Sequence, residues 1–193
     1  MSAPNFPAPS PRHWTRDEYY RAQSVGLFGP TEKLELIRGE IVEKRPQGTP
    51  HVTATERTER RFLALEFAGL GTVRSQKPIT LPDDSEPEPD VVFARGTLDD
   101  YSERHPGPED LLLVIEVSDS TLVYDRTDKA RLYAEASISE YWVLNVSERL
   151  LEVRRDPQGG EYRRLQTVRE GETVSPRFAP TENLAVSDFL PRE

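Results

Sequence analysis

Asp90 closes an acidic, proline-broken stretch, PDDSEPEPD, and opens the strand-like run VVFA, while Glu116 sits near the end of a second apolar run, LLLVIEV. Carboxylates at two strand ends converge only if the strands lie side by side, where a twisted sheet opens a crevice. Lys129 follows in a helix-like segment, after the turn-prone Ser118-Asp119-Ser120-Thr121. These residue types suit metal-assisted phosphodiester hydrolysis, which needs charge neutralisation on the scissile phosphate, a deprotonated water and a stabilised leaving oxygen. Mg²⁺ or Mn²⁺ meets all three needs, and such hard ions require only one or two carboxylates plus a backbone carbonyl and waters. Asp90 and Glu116 are the expected ligands, with the Val117 carbonyl as a third. An ammonium at Lys129 reaching the same crevice would stabilise the attacking hydroxide or the phosphate charge. Arg126, three positions before it, and Tyr133, four after, are expected on the same helix face, within reach of a phosphate backbone. His51, just inside a helix start, is a further candidate contact to a phosphate or a metal-bound water.

Each of these residues also has a plainer reading. Asp90 after Pro89 fits a turn. A carboxylate within an apolar strand is costly to bury unpaired, so Glu116 is either functional or salt-bridged. Lys129 pairs with Asp125 four positions earlier on an exposed helix face. Glu35 alternates with Leu34 and Leu36 and so reads as the outer face of a strand. A helix-terminal histidine is most simply a surface residue. Tyr141 and Trp142 read as core and subunit-contact residues. The arginines at 154, 155, 163 and 164 form either a DNA-facing patch or a solvated strand face.

The elements that must position these groups are legible in outline. Thr15-Arg16-Asp17-Glu18 fits a capping box and predicts a helix over about 15–25. Residues 33–43 flank Gly39 with β-favouring residues and predict a hairpin. Thr49-Pro50 reads as an N-cap and first-turn proline for a helix over about 50–67. Strands are expected at 72–81, 90–94 and 111–117, the last apolar enough to be the covered centre of the sheet. A helix near 126–137 leads into a buried strand at 140–145, a strand-helix-strand unit with the usual right-handed crossover. Strands at 149–155 and 161–168 form a terminal hairpin. The expected architecture is a mixed β-sheet flanked by helices, of α+β type, with hairpins at both ends. A flexible segment is expected over 1–13 and a single domain over 14–190.

The chain of 193 residues is long enough for a substantial core, and it contains no cysteine, which excludes thiolate zinc sites and cysteine nucleophiles. No apolar stretch approaches a membrane span, and the first residues lack a secretory pattern, so no membrane association is expected and the default compartment is the cytoplasm. Net charge is −9, which argues against binding DNA through bulk electrostatics. Between Asp83 and Asp119 there are 12 acids and 2 Lys/Arg, so the acidity is concentrated around the expected site. A magnesium pocket gathers carboxylates in this way, although the acidic loop at 99–110 contributes as well.

The segments EPDVVF and LLLVIEVSDSTLVYDRTDKARLYAEASISEYWVLN, with LELIRGEIVE and His51, resemble the bacterial Uma-two family of restriction-endonuclease-like proteins, within the PD-(D/E)XK nuclease superfamily. The resemblance covers roughly residues 14–190. It implies a nuclease fold with the metal site at a crevice of the sheet, and it matches Asp90 to the motif aspartate and Glu116 to the motif glutamate. Where the simple Glu-X-Lys pattern places lysine, this chain has Ser118, and the resemblance assigns the lysine's role to Lys129. It also makes Glu35 an additional site acid. The implied function is a Mg²⁺- or Mn²⁺-dependent endonuclease acting on DNA. The rival is a binding or regulatory module that keeps the fold without turnover. A glycosidase using the two carboxylates as an acid pair is a third reading, weakened by the scarcity of surface-type aromatics for sugar stacking. Related nuclease folds pair so that two sites address two strands, and a homodimer is expected, with Tyr141, Trp142 and the terminal strands as its interface.

Overall fold

In the computed structural model, residues 11–192 are described. A six-stranded sheet in the order β3-β4-β5-β6-β7-β8 forms the centre: β3 Thr72–Ser75, β4 Val91–Ala94, β5 Leu111–Ser118, β6 Glu140–Asn145, β7 Leu150–Gln158 and β8 Glu161–Arg169. Only β5 and β6 run parallel. The segment between them crosses over the sheet as α3 (Leu122–Tyr124), a π-helical turn (Asp125–Lys129) and α4 (Ala130–Glu135). Helix α2 (Thr49–Phe67) covers the opposite face.

The two-residue period of the strands sorts the core. Val91, Phe93, Leu113, Ile115, Val117, Trp142 and Leu144 pack with Phe62 and Leu65 of α2. Val92, Val114, Tyr141 and Val143 point the other way, against Leu132, Tyr133 and Ile138. Glu116 therefore points to the face covered by the π turn and α4. The β4/β5 register, with Val91 opposite Ile115, sets Asp90 one step further along, beside Glu116.

The N-terminal helix α1 (Arg16–Ser24) has the expected capping box, with the Thr15 hydroxyl accepting from the Glu18 amide and the Glu18 carboxylate accepting from the Thr15 amide. Strands β1 (Leu34–Ile37) and β2 (Glu40–Glu43) form the expected hairpin, turning through Arg38 and Gly39, both at positive φ. A Cβ on Gly39 would lie 2.6 Å from the His13 Cβ, so the turn needs glycine for space as well as for its backbone angle. Of the segment expected to be flexible, residues 1–10 lie outside the described residues. His13 is fixed by its Nδ1, 2.9 Å from the Arg38 carbonyl.

The structure differs from the sequence reading at several boundaries. The strand expected over 72–81 ends at Ser75, because Gln76 adopts positive φ and its amide donates to the Asp90 carbonyl. Helix α2 is capped by Gly48 rather than Thr49. A side chain at position 48 would meet the Asp119 carboxylate at 3.3 Å. The terminal hairpin turns at Gly159-Gly160, both at positive φ, with β7 running on to Gln158. A two-stranded ribbon, β9 (Thr173–Val174) with β10 (Leu184–Ala185), completes the fold. Among the described residues no helix is long and apolar enough to cross a membrane.

Tyr141 and Trp142 are fully buried in the two core layers, which excludes them as surface for a subunit contact. Arg154 pairs with Glu152, and Arg155 with Glu140 and the Ser175 carbonyl, so these two arginines serve the fold. Of these four arginines Arg163 and Arg164 are exposed, on the same strand as the exposed Arg169.

Candidate active site

Asp90 precedes β4, and its backbone amide donates to Glu116 Oε2 at 3.2 Å. In return its Oδ2 accepts from the Val117 amide at 2.8 Å. The two acids are thus interlocked across adjacent strands, and neither is a turn ornament. His51, in the first turn of α2, brings Nε2 to 3.2 Å from Asp90 Oδ2, while its Nδ1 is 3.5 Å from the Thr55 hydroxyl. Burial alone would raise the Asp90 carboxyl, but the His51 hydrogen bond and charge, with the Val117 amide, hold it below the usual range. Burial likewise opposes the charged imidazole, yet Asp90, Glu116 and Asp125 together raise the His51 pKa.

Glu116 is 5% exposed and Lys129 4%. Lys129 Nζ is 2.8 Å from Glu35 Oε2 and 3.6 Å from Glu116 Oε1, so one ammonium bridges two acids from different elements. The Tyr133 hydroxyl donates to Glu116 Oε1 at 2.6 Å. Burial dominates Glu116 and, with the Asp90 and Asp125 charges, pushes its pKa up to about 8 in spite of Lys129. The ammonium itself is held charged: burial opposes it, but Glu35 and Glu116 raise its pKa further.

Two plainer readings fail here. Lys129 is not a solvated helix residue paired with Asp125, and Glu35, 4% exposed, is not on an outer strand face. Glu35 points inward, where its Oε2 also accepts from the Glu88 amide at 3.0 Å. The β1-β2 hairpin therefore supplies an acid to the site from a remote part of the chain.

The π turn explains both what the sequence revealed and what it hid. The Asp125 carbonyl accepts from the Tyr141 hydroxyl at 2.9 Å, and its carboxylate accepts from Ser118 and Thr121, each at 2.6 Å. Ser118, at the position where a motif lysine would stand, thus anchors the turn that delivers Lys129. The wider turn keeps Lys129 and Tyr133 on one face but swings Arg126 away, where its Nε donates to Glu152 Oε1 at 2.7 Å. The expectation that Arg126 shares the Lys129 face is corrected accordingly. Tyr133 is fully buried and braces Glu116 from behind. Asp125, four residues before Lys129, has the local signature of a solvated helix pair, which masks its buried role.

The cleft above these groups has a volume of about 650 Å³. Its sides are the chain from Val42 to Gly48 and the chain from Asp119 to Tyr124. Among the described residues no group of three or more His, Asp or Glu is arranged as a ready-made metal cage. The donor set nevertheless fits a hard cation that keeps most of its waters: two adjoining carboxylates face an open cleft, and one of them is buried without enough positive charge to stay ionised.

A search among proteins of curated function returned no match. Among solved structures, the crystal structure of a protein from Anabaena variabilis ATCC 29413, titled "a putative nuclease belonging to DUF820", superposes with a TM-score of 0.68 at 18% identity, covering 91% of this chain and 96% of that one. At that identity the likeness establishes the shared fold. The sequence signature of Uma2, described as "Putative restriction endonuclease", matches residues 16–187, and the chain belongs to that family.

Proposed function

We propose that the chain is a divalent-metal-dependent endonuclease that hydrolyses DNA phosphodiester bonds in the Asp90-Glu116-Lys129 cleft. The observation that carries this reading is the convergence of Glu116, Lys129 and Glu35, from a strand, a π turn and a hairpin, beside Asp90 in one open cleft. The family's description and that of the Anabaena protein point in the same direction.

Asp90 and Glu116 would hold Mg²⁺ or Mn²⁺, with the Val117 carbonyl as a third donor. When bound, the ion supplies positive charge to the phosphate and lowers the pKa of a water. Glu35 keeps Lys129 charged and aimed at Glu116, so the ammonium can offset negative charge that builds up in hydrolysis. His51 orients the Asp90 carboxylate from the cleft side and lies where a phosphate oxygen would approach. Tyr133 fixes Glu116 from within the core and does not meet substrate. A homodimer in the cytoplasm completes the proposal, with the terminal strands rather than Tyr141 and Trp142 forming the contact.

The test is calorimetric titration with Mn²⁺ alongside cleavage of labelled DNA by the wild type, Asp90→Asn and Glu116→Gln. The expected result is one metal-dependent activity, lowered on the order of 100-fold or more in each variant. Absent metal binding, with wild type and variants indistinguishable, would leave the rival of a turnover-free nucleic-acid-binding or regulatory module.

A further inference from the structure

The cleft is unusual for a duplex-binding surface. Of the basic groups lining it, Lys129 is held by Glu35 and Glu116, His51 by Asp90, and Lys44 Nζ lies 2.8 Å from the Glu88 carbonyl and 3.4 Å from its carboxylate. Arg45 reaches across to the Ser120 carbonyl at 3.4 Å. Glu43, Asp119 and Asp128 line the same cleft, so the wall beyond the site repels a long polyanion rather than attracting it. Duplex DNA carries closely spaced phosphates on both strands and offers no unstacked base to a narrow cleft.

The same cavity has a second chemical character. Val42 and Pro46 line it on the hairpin side, and Leu122, Val123 and Tyr124 line it next to the π turn. Val123 is 76% exposed, an apolar side chain left in solvent at the lip of a charged site. A cavity of about 650 Å³ with acids at its floor and hydrocarbon on its walls matches one or two nucleotides better than it matches a helix. A phosphate belongs at the acidic floor with its cation, and an apolar, aromatic wall receives the face of a base.

We propose that this site acts on unpaired DNA, a single strand or an extruded nucleotide, with the base lodged against Leu122, Val123 and Tyr124 while its phosphate meets the Asp90-Glu116 floor. This rests on the nuclease reading above and adds the substrate class to it. Because the Lys, Arg and His lining the cleft are already engaged by acids or carbonyls, few counterions are displaced there and binding depends weakly on salt. For one or two neutralised phosphates the slope of log K against log salt is about −1, where a broad basic surface gives several times that.

The experiment compares one labelled 20-nucleotide sequence as a single strand, as a full duplex and as a duplex with a three-nucleotide bulge. Cleavage is read in Mn²⁺ and binding in Ca²⁺ from 50 to 200 mM salt. The expected result is kcat/KM on the order of 10-fold or more higher for the single strand and the bulge than for the duplex, with the shallow salt slope. Val123→Asp should weaken single-strand binding on the order of 10-fold, and Val123→Trp should strengthen it, the gain being a response that misfolding cannot mimic. Equal or better cleavage of the duplex, a steep salt slope, or indifference to both Val123 variants would overturn the substrate assignment while leaving a metal-dependent nuclease in place. No cleavage of any strand, with Asp90→Asn identical to wild type, would instead remove the nuclease reading and this inference with it.

Discussion

Raising the pH from 6 to 9 should tighten divalent-metal binding, chiefly through the Glu116 carboxyl. Glu116 is shifted from an ordinary 4.5 up to about 8 because burial disfavours its charge more than Lys129 restores it. A cation must therefore displace a proton from Glu116 below that pH. For one competing proton, the apparent Kd is about 100-fold weaker at pH 6, about 10-fold at pH 7 and about twofold at pH 8 than at the high-pH limit. Titration calorimetry with Mn²⁺, in buffers of different ionisation enthalpy, should detect nearly one proton released by Glu116 per ion at pH 6–7, with any His51 proton released beside Asp90 adding to it, and almost none above pH 9. The metal-free fold should show the complementary trend. Its Glu116 keeps a proton that the unfolded chain has already lost, so this group's contribution to stability falls as pH rises from about 4.5 to about 8. Mn²⁺ should counter that loss, and the thermal shift it produces should grow with pH. The reasoning is refuted by an affinity that is flat from pH 6 to 9, or by a slope that survives undiminished in Glu116→Gln.

Three further outcomes follow from the site's packing. Lys129→Met leaves Glu35 and Glu116 buried without their shared cation and should cost about 3–5 kcal/mol in denaturant unfolding; adding Glu35→Gln should recover part of it, and full additivity would contradict the pairing. Tyr133→Phe deletes the donor 2.6 Å from Glu116 and should cost about 1–3 kcal/mol, with metal affinity at pH 7 falling as the carboxyl becomes harder to ionise. Gly39→Ala forces a side chain against His13 at positive φ and should destabilise the hairpin by about 1 kcal/mol or more, read as a lowered melting temperature.

Period-two patterning and proline-glycine punctuation carried most of the architecture, because strands buried on both faces and tight turns leave local signatures. LLLVIEV announced a covered central strand, and the parity of Glu116 within it decides which face the carboxylate takes. Other features depend on distant partners and have no local signature. Glu35 alternates like an exposed residue, and only the docking of its hairpin against Lys129 buries it. Arg126 and Lys129 are spaced for a shared α-helical face, but the tertiary bonds to Asp125 from Ser118, Thr121 and Tyr141 accompany a wider turn that separates them. Gly48 rather than Thr49 caps α2, with Asp119 lying against that position from across the cleft, a contact invisible to capping preferences.

The Glu35-Lys129 pair spans 94 positions of the chain. Closing so long a separation costs more chain entropy than forming either hairpin, so this contact has no local drive and depends on the docking of the ribbon. A chain whose first hairpin has not docked lacks the anion that steadies the ammonium, and the cleft loses the wall formed by Val42 to Gly48. Competence is thereby tied to completion: the sheet can be assembled and its acids aligned while the machinery stays unfinished until the amino-terminal ribbon is seated.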